Sequence, residues 1–219
     1  MRFSSLTSVS GVGFLAVGLF ALTGCPDPEG QFKEFEDRQA AIGEGGGGVG
    51  GGADCTPTVE GEADGEYLFA LSASLDPPKA FALAGTVTTH AGDPLMVDMS
   101  LQPLAKEDRM TPVGDPIVLT DLPVNADGSF EWDLGAIVLV NAANPISAFD
   151  VEANVQLHGG LCGGESLGFI CGDVTGVVTA PLNMFDLVGS TFTMQRYDSE
   201  IPAPVINCVK EPAVYPAAE

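Results

Sequence analysis

The chain has 219 residues, 30 acidic and 8 basic side chains, a formal charge of −22 and 45% hydrophobic residues. That length fits one domain with appendages, and the hydrophobic share excludes a chain that is disordered throughout. A field of that sign repels phosphate backbones, which excludes nucleic acid as a partner.

Arg2 is the only positive charge ahead of an apolar run from Val9 to Leu22, VSGVGFLAVGLFAL. Its 14 residues suit the h-region of a secretory signal and fall short of the ~20 that span a bilayer. Leu22, Thr23, Gly24 and Cys25 end the segment. Placed directly behind an h-region, this quartet resembles the lipobox of bacterial lipoproteins. The resemblance covers residues 1–25. It implies cleavage before Cys25, a diacylglycerol thioether on its sulfur and acylation of the new N-terminus. Small Thr23 and Gly24 open the backbone to the peptidase, and the thiolate is a competent nucleophile. Several acyl chains, at about 0.8 kcal/mol per buried CH₂, hold a membrane far more firmly than one myristoyl group. In enteric bacteria an Asp directly after the lipidated cysteine resembles an inner-membrane retention signal. Here Pro26 intervenes before Asp27, which points to the outer membrane. The mature chain keeps seven cations against thirty carboxylates.

Residues 25–54 read as a tether. Gln31 to Ile42, QFKEFEDRQAAI, has the spacing of a short helix but lies at the length where isolated helices are marginal, so a frayed segment is expected. Gly43 to Gly52, GEGGGGVGGG, offers no side chains to pack and behaves as flexible coil, giving the tether a reach of roughly 30 Å. A glycine-rich tether behind a lipobox resembles lipoproteins of myxobacteria, a compositional likeness that implies no activity.

Residues 55–219 read as one all-β domain, large enough to bury a core. From Glu66 the apolar positions recur every second residue. Tyr67, Phe69, Leu71, Ala73 and Leu75 share one face, as do Phe81, Leu83 and Val87, and then Leu95, Val97, Met99 and Leu101. Further strands are expected at Ile117–Thr120, Phe130–Leu134 and Ala136–Val140. The cleanest alternation runs through Phe149, Val151, Ala153, Val155 and Leu157. Phe169–Val178 and Ser190–Tyr197 complete the set. Strict alternation marks half-buried strands. The punctuation is turn chemistry: Asp76–Pro78, two Gly-Asp-Pro triplets, and Asn125–Ser129, which predicts a hairpin. No long helix is expected. About eight to ten strands at this spacing predict an antiparallel β-sandwich or, alternatively, a β-barrel.

Four cysteines follow the anchor: Cys55, Cys162, Cys171 and Cys208. An even count in an exported chain reads as two disulfides among three possible connectivities. Cys162 and Cys171 flank the loop GGESLGFI, and Cys55 and Cys208 bracket the domain, so the expected pairs are Cys162–Cys171 and Cys55–Cys208. The spacing does not fit zinc, and no cofactor is expected.

His90 and His158 are the only histidines, and both read as exposed; no nucleophile motif such as GxSxG accompanies them. Asn125, Asp127 and Glu131 invite calcium, but Pro123 stands at the first ligand place and a hairpin accounts for the turn. Trp132 beside Phe130 reads as core rather than as a sugar platform. The function expected is that of a cell-envelope lipoprotein, lipid-anchored to the membrane, whose non-catalytic β-domain binds a protein or glycan partner or serves a structural role. Two alternatives stand beside it: an envelope hydrolase using Asp, Glu and His, and a small-ligand carrier if the sheet closes around an apolar interior.

Overall fold

The computed structural model describes residues 55–215. The expected signal peptide, the expected lipobox with Cys25 and the expected tether lie outside the described residues. The domain contains nine strands, β1 (Gly65–Ser72), β2 (Phe81–His90), β3 (Leu95–Pro103), β4 (Ile117–Val124), β5 (Ser129–Leu139), β6 (Val151–Gly160), β7 (Phe169–Ala180), β8 (Phe185–Asp186) and β9 (Ser190–Tyr197). Among the described residues, helix is confined to two 3-10 turns, Asn141–Ala143 and Gly164–Gly168.

All strands join one antiparallel sheet in the order β4-β3-β2-β1-β9-β7-β6-β5, with β8 paired to β7. The outermost strands, β4 and β5, are consecutive in the chain, and the Asn125–Gly128 turn brings them together: the Asn125 N–H donates to the Ser129 carbonyl at 2.8 Å. Trp132 reaches across the same seam, its Nε1–H donating to the Pro123 carbonyl at 2.8 Å. The sheet is thus nearly closed into a barrel, which hides the edges that an open sheet leaves free. Of the two architectures open to the sequence, this order matches the barrel.

The period-two runs face inward as expected. Tyr67, Phe69 and Leu71 of β1 meet Val97, Met99 and Leu101 of β3, Trp132 of β5, Leu157 of β6 and Phe192 of β9 in one core. Ala136–Val140 is not a separate strand. β5 runs unbroken, and a bulge between Asp133 and Gly135 shifts its register against β6. Gly135 adopts φ 66° there, a left-handed position that suits glycine. The extra residue moves the inward phase from Phe130, Trp132 and Leu134 to Ile137 and Leu139, which reads in sequence as a break.

Two inward expectations fail. β1 ends at Ser72 and β6 begins at Val151, so Leu75 and Phe149 fall beyond the ladders and are 51% and 64% exposed. β1 is also buried on its outer face, where Leu68, Ala70, Ala80 and Ile206 lie in two small clusters. The C-terminal segment after β9 covers this face. Thr191 and Thr193 donate from their hydroxyls to the carbonyls of Ile206 and Val205 at 2.5 and 2.8 Å, and the Tyr215 hydroxyl donates to the Ala80 carbonyl at 3.0 Å.

The two expected disulfides form, but with other partners: Cys55–Cys162 and Cys171–Cys208. The reason is strand alternation. On β7 the inward phase belongs to Ile170, Gly172 and Val174, so Cys171 faces outward, towards the C-terminal segment and Cys208. Cys162 follows β6 at the end of the barrel, where it bridges to Pro57 of the N-terminal segment and so meets Cys55. Flanking one loop therefore does not bring Cys162 and Cys171 together.

Candidate functional site

The two ends of the barrel differ. One end is closed by the N-terminal segment and the loop after β6. Ala63, Leu161 and Leu167 are buried there, and the Tyr67 hydroxyl donates to the Ala63 carbonyl at 3.0 Å. Glu62 ties the two segments together, its carboxylate accepting from the Gly164 N–H at 2.7 Å and the Val59 N–H at 3.3 Å. The Gly164 bond, more than the others, holds its carboxyl below the usual range.

The opposite end is open and holds a cavity of about 420 Å³. Its walls are the last inward residues of the strands that end there, among them Leu71, Phe81, Ile137, Ala153, Val155 and Val178, and its mouth is formed by Leu75, Ile146, Phe149, Leu182 and Phe185. Among the described residues, Asn144 and Ser147 are the only polar ones lining it. Ala73 and Ala153 stand among its lining residues, whereas the other end is filled by Trp132, Phe130 and Tyr67. A volume in this range suits a small-molecule ligand, and such sites are mainly apolar.

Leu75, Phe149, Leu182, Met184 and Val188 are exposed around this end. A concentration of large apolar side chains at one place on a soluble surface marks a binding region more often than a neutral one. Leu75 and Phe149 carry the sequence signal, since both continue an alternating run past the point where the ladder stops.

The histidines stand elsewhere. His158 lies on the outer face of β6, opposite Glu131 of β5 and Asp173 of β7. Its Nε2 is 2.8 Å from the Thr175 hydroxyl. With Asn125 and Ser129 these residues line a shallow polar groove. Partial burial raises the Asp173 carboxyl above its usual range, and the nearby His158 works against that rise. A histidine beside a hydroxyl is the start of a nucleophilic pair. Here β6 and β7 each lie between two partner strands, so their N–H groups are used in the ladders rather than turned towards a developing oxyanion.

His90 ends β2 between two carboxylates, its Nε2 3.4 Å from Asp98 and 3.6 Å from Asp121. The Asp98 carboxylate also accepts from the Asp121 N–H at 2.9 Å. Sequence spacing gave no sign of this trio, because a register shift in β3 and β4 assembles it.

The remaining candidates are structural. Asp127 accepts from the Ser129 hydroxyl at 2.6 Å and the Ser129 N–H at 3.0 Å, so its carboxylate shapes the turn between β4 and β5. Trp132 is 1% exposed and stacks on Phe130 with ring centroids 3.7 Å apart, which places it in the core. No known protein family, curated protein or solved structure matches this chain.

Proposed function

We propose that this chain is an envelope lipoprotein whose barrel binds an apolar small molecule in its open end. The observation that carries the reading is the cavity of about 420 Å³ with its apolar walls. Among the three functions open to the sequence, it favours the small-ligand carrier. An apolar ligand entering such a site leaves water for a wall of hydrocarbon, a gain of about 25 cal/mol per Å² of apolar surface removed from solvent. The hydrolase reading has only the His158–Thr175 pair, in a groove without convergent donors.

The anchoring part of the proposal rests on the Leu22–Cys25 quartet and its place behind an apolar run. Cys55, where the expected tether ends, is bonded to Cys162 at the closed end of the barrel. A reach of roughly 30 Å lets the mouth sample the space above the membrane.

The test is titration of the full chain carrying Cys25→Ser, so that no covalent acyl chain competes, with the neutral fluorescent dye phenylnaphthylamine. The reading expects saturable binding of one dye per chain. Ala153→Trp fills the cavity and Leu182→Asp charges its mouth without touching the core; each should weaken binding. Absence of saturable binding, or binding unchanged by both substitutions in folded protein, would overturn the proposal.

A further inference from the structure

The chemistry of the cavity and its surroundings selects among apolar ligands, given the reading of the cavity as a ligand site. Asn144, one of the two polar residues in the wall, is fully occupied. Its Nδ2 donates to Ser147 Oγ and to the Phe149 carbonyl, both at 2.8 Å. Its Oδ1 accepts from the N–H groups of Ile146 and Ser147 at 2.9 and 3.1 Å. The wall contains no Lys or Arg. A carboxylate or phosphate that entered would lose its water and meet no cation, with the Ser147 hydroxyl, whose oxygen already accepts from Asn144 Nδ2 and the Phe149 N–H, as the one side-chain donor left in the wall, a large penalty for a charged group.

The charge outside points the same way. Residues 55–219 hold 23 carboxylates and five cations, and every one of the five is engaged. Lys79 pairs with Asp76 at 2.8 Å, and Lys106 donates to the Asn141 carbonyl at 3.0 Å. Arg109 lies over the Tyr215 ring and Lys210 over Phe169. Arg196 donates to the carbonyls of Glu62 and Asp64 at the closed end. Beside the mouth, Asp150 follows Phe149 and Asp186 lies between Phe185 and Leu187, both exposed. The mouth segments 141–151 and 178–190 contain no Lys or Arg. Two cations stand near them: Lys79 on the Leu75 segment, paired with Asp76, and Lys106, bonded to the carbonyl of Asn141, whose N–H in turn donates to Asp150. Among the described residues, this leaves Asp186 without a cation across from it.

We propose that the ligand is a single hydrocarbon chain whose polar end is uncharged or cationic, and that the acidic mouth rejects chains ending in carboxylate or phosphate. The chain enters the cavity, and its end stays at the mouth in the field of Asp150 and Asp186. A volume near the lower part of the ligand-site range holds one chain rather than the several of a large lipid.

Displacement of the bound dye tests this on the same Cys25→Ser full chain. At pH 7 and low salt, decanol and decylammonium should displace the dye, and decanoate should need a concentration at least about tenfold higher, the scale on which surface fields bias charged ligands. The gap should narrow in high salt, which screens exposed charges, and in the double variant Asp150→Asn, Asp186→Asn. If the dye itself does not bind, the cavity reading fails. If the dye binds and decanoate displaces it as well as decanol does, or if decanol and decylammonium both fail to displace it, the selectivity fails while the cavity reading stands.

Discussion

Removing one disulfide at a time gives the sharpest check on how the domain is held together. Cys55–Cys162 closes 107 residues and Cys171–Cys208 closes 37. In the chain-entropy treatment these loops restrict the unfolded state by about 4.8 and about 3.8 kcal/mol. Each is a large part of the roughly 5–15 kcal/mol that holds a domain folded. The double variant Cys171→Ala, Cys208→Ala should therefore lower the urea-unfolding free energy by about 4 kcal/mol. The loss has a local component, because Cys208 fastens the segment that covers Leu68, Ala70 and Ala80 on the outer face of β1. Hydrogen exchange should rise first along residues 198–215, before the core strands open. The variant Cys162→Ala, Cys171→Ala tells the observed connectivity from the pairing Cys162–Cys171 with Cys55–Cys208. With the observed pairs it breaks both bridges and leaves two thiols, on Cys55 and Cys208. With Cys162 joined to Cys171 it would leave Cys55–Cys208 intact and no thiol. Thiol titration of the oxidised, denatured variant reads the count directly, and a count of zero would refute the pairing and the packing argument built on it.

Three further outcomes follow from packing and titration. Gly172→Ala should destabilise the domain by about 3 kcal/mol, because a Cβ there would stand 2.0 Å from the His158 carbonyl oxygen and 2.7 Å from the Phe192 ring, whereas Gly168→Ala, with nothing within 4 Å, should be nearly neutral; urea midpoints compare the two. Asp108 is held at about 2, below its ordinary 3.8, chiefly by the Thr111 hydroxyl and then by the N–H groups of Thr111 and Met110. Its contribution is present above 3.8 and lost as pH falls towards about 2, so the stability gap between wild type and Asp108→Ala should close over that interval. Asp173 has the opposite sign: burial raises its carboxyl, so its folded state favours the protonated form and loses that advantage as pH rises through the raised value. Asp173→Asn should therefore be more stable than wild type at pH 7, with the difference vanishing below 3.8; melts at the two pH values measure it.

Much of this fold is legible because alternation is a one-dimensional signal. Val97, Met99 and Leu101, or Val155 and Leu157, announce their inward face from their own neighbours. The turn at Asn125–Ser129 is legible for a similar reason, since its residues do their work locally, whereas the paired hairpin expected there does not form, because β4 and β5 are the two ends of the sheet order and share no ladder. What escaped the sequence depends on three-dimensional closure. The outward direction of Cys171 is fixed by β7, yet its partner is fixed by where the chain goes after β9. The bulge at Gly135 makes one strand read as two. The cavity is least legible of all, because it is produced by what ends where: β1 stops at Ser72, β6 starts at Val151, and alanines at positions 73 and 153 leave space between them. Leu75 and Phe149 read as core by pattern, and their pattern is correct up to the last residue of each ladder.

Crystals of the full Cys25→Ser chain exposed to bromodecane show whether the open end takes a hydrocarbon chain, since the anomalous signal of bromine locates such a chain without a headgroup to guide it. One bromine peak is expected in the open end of the barrel, among Ile137, Val155 and Val178, and it should be lost in Ala153→Trp. A cavity filled by ordered water, or bromine bound only on the outer surface, would contradict the proposal.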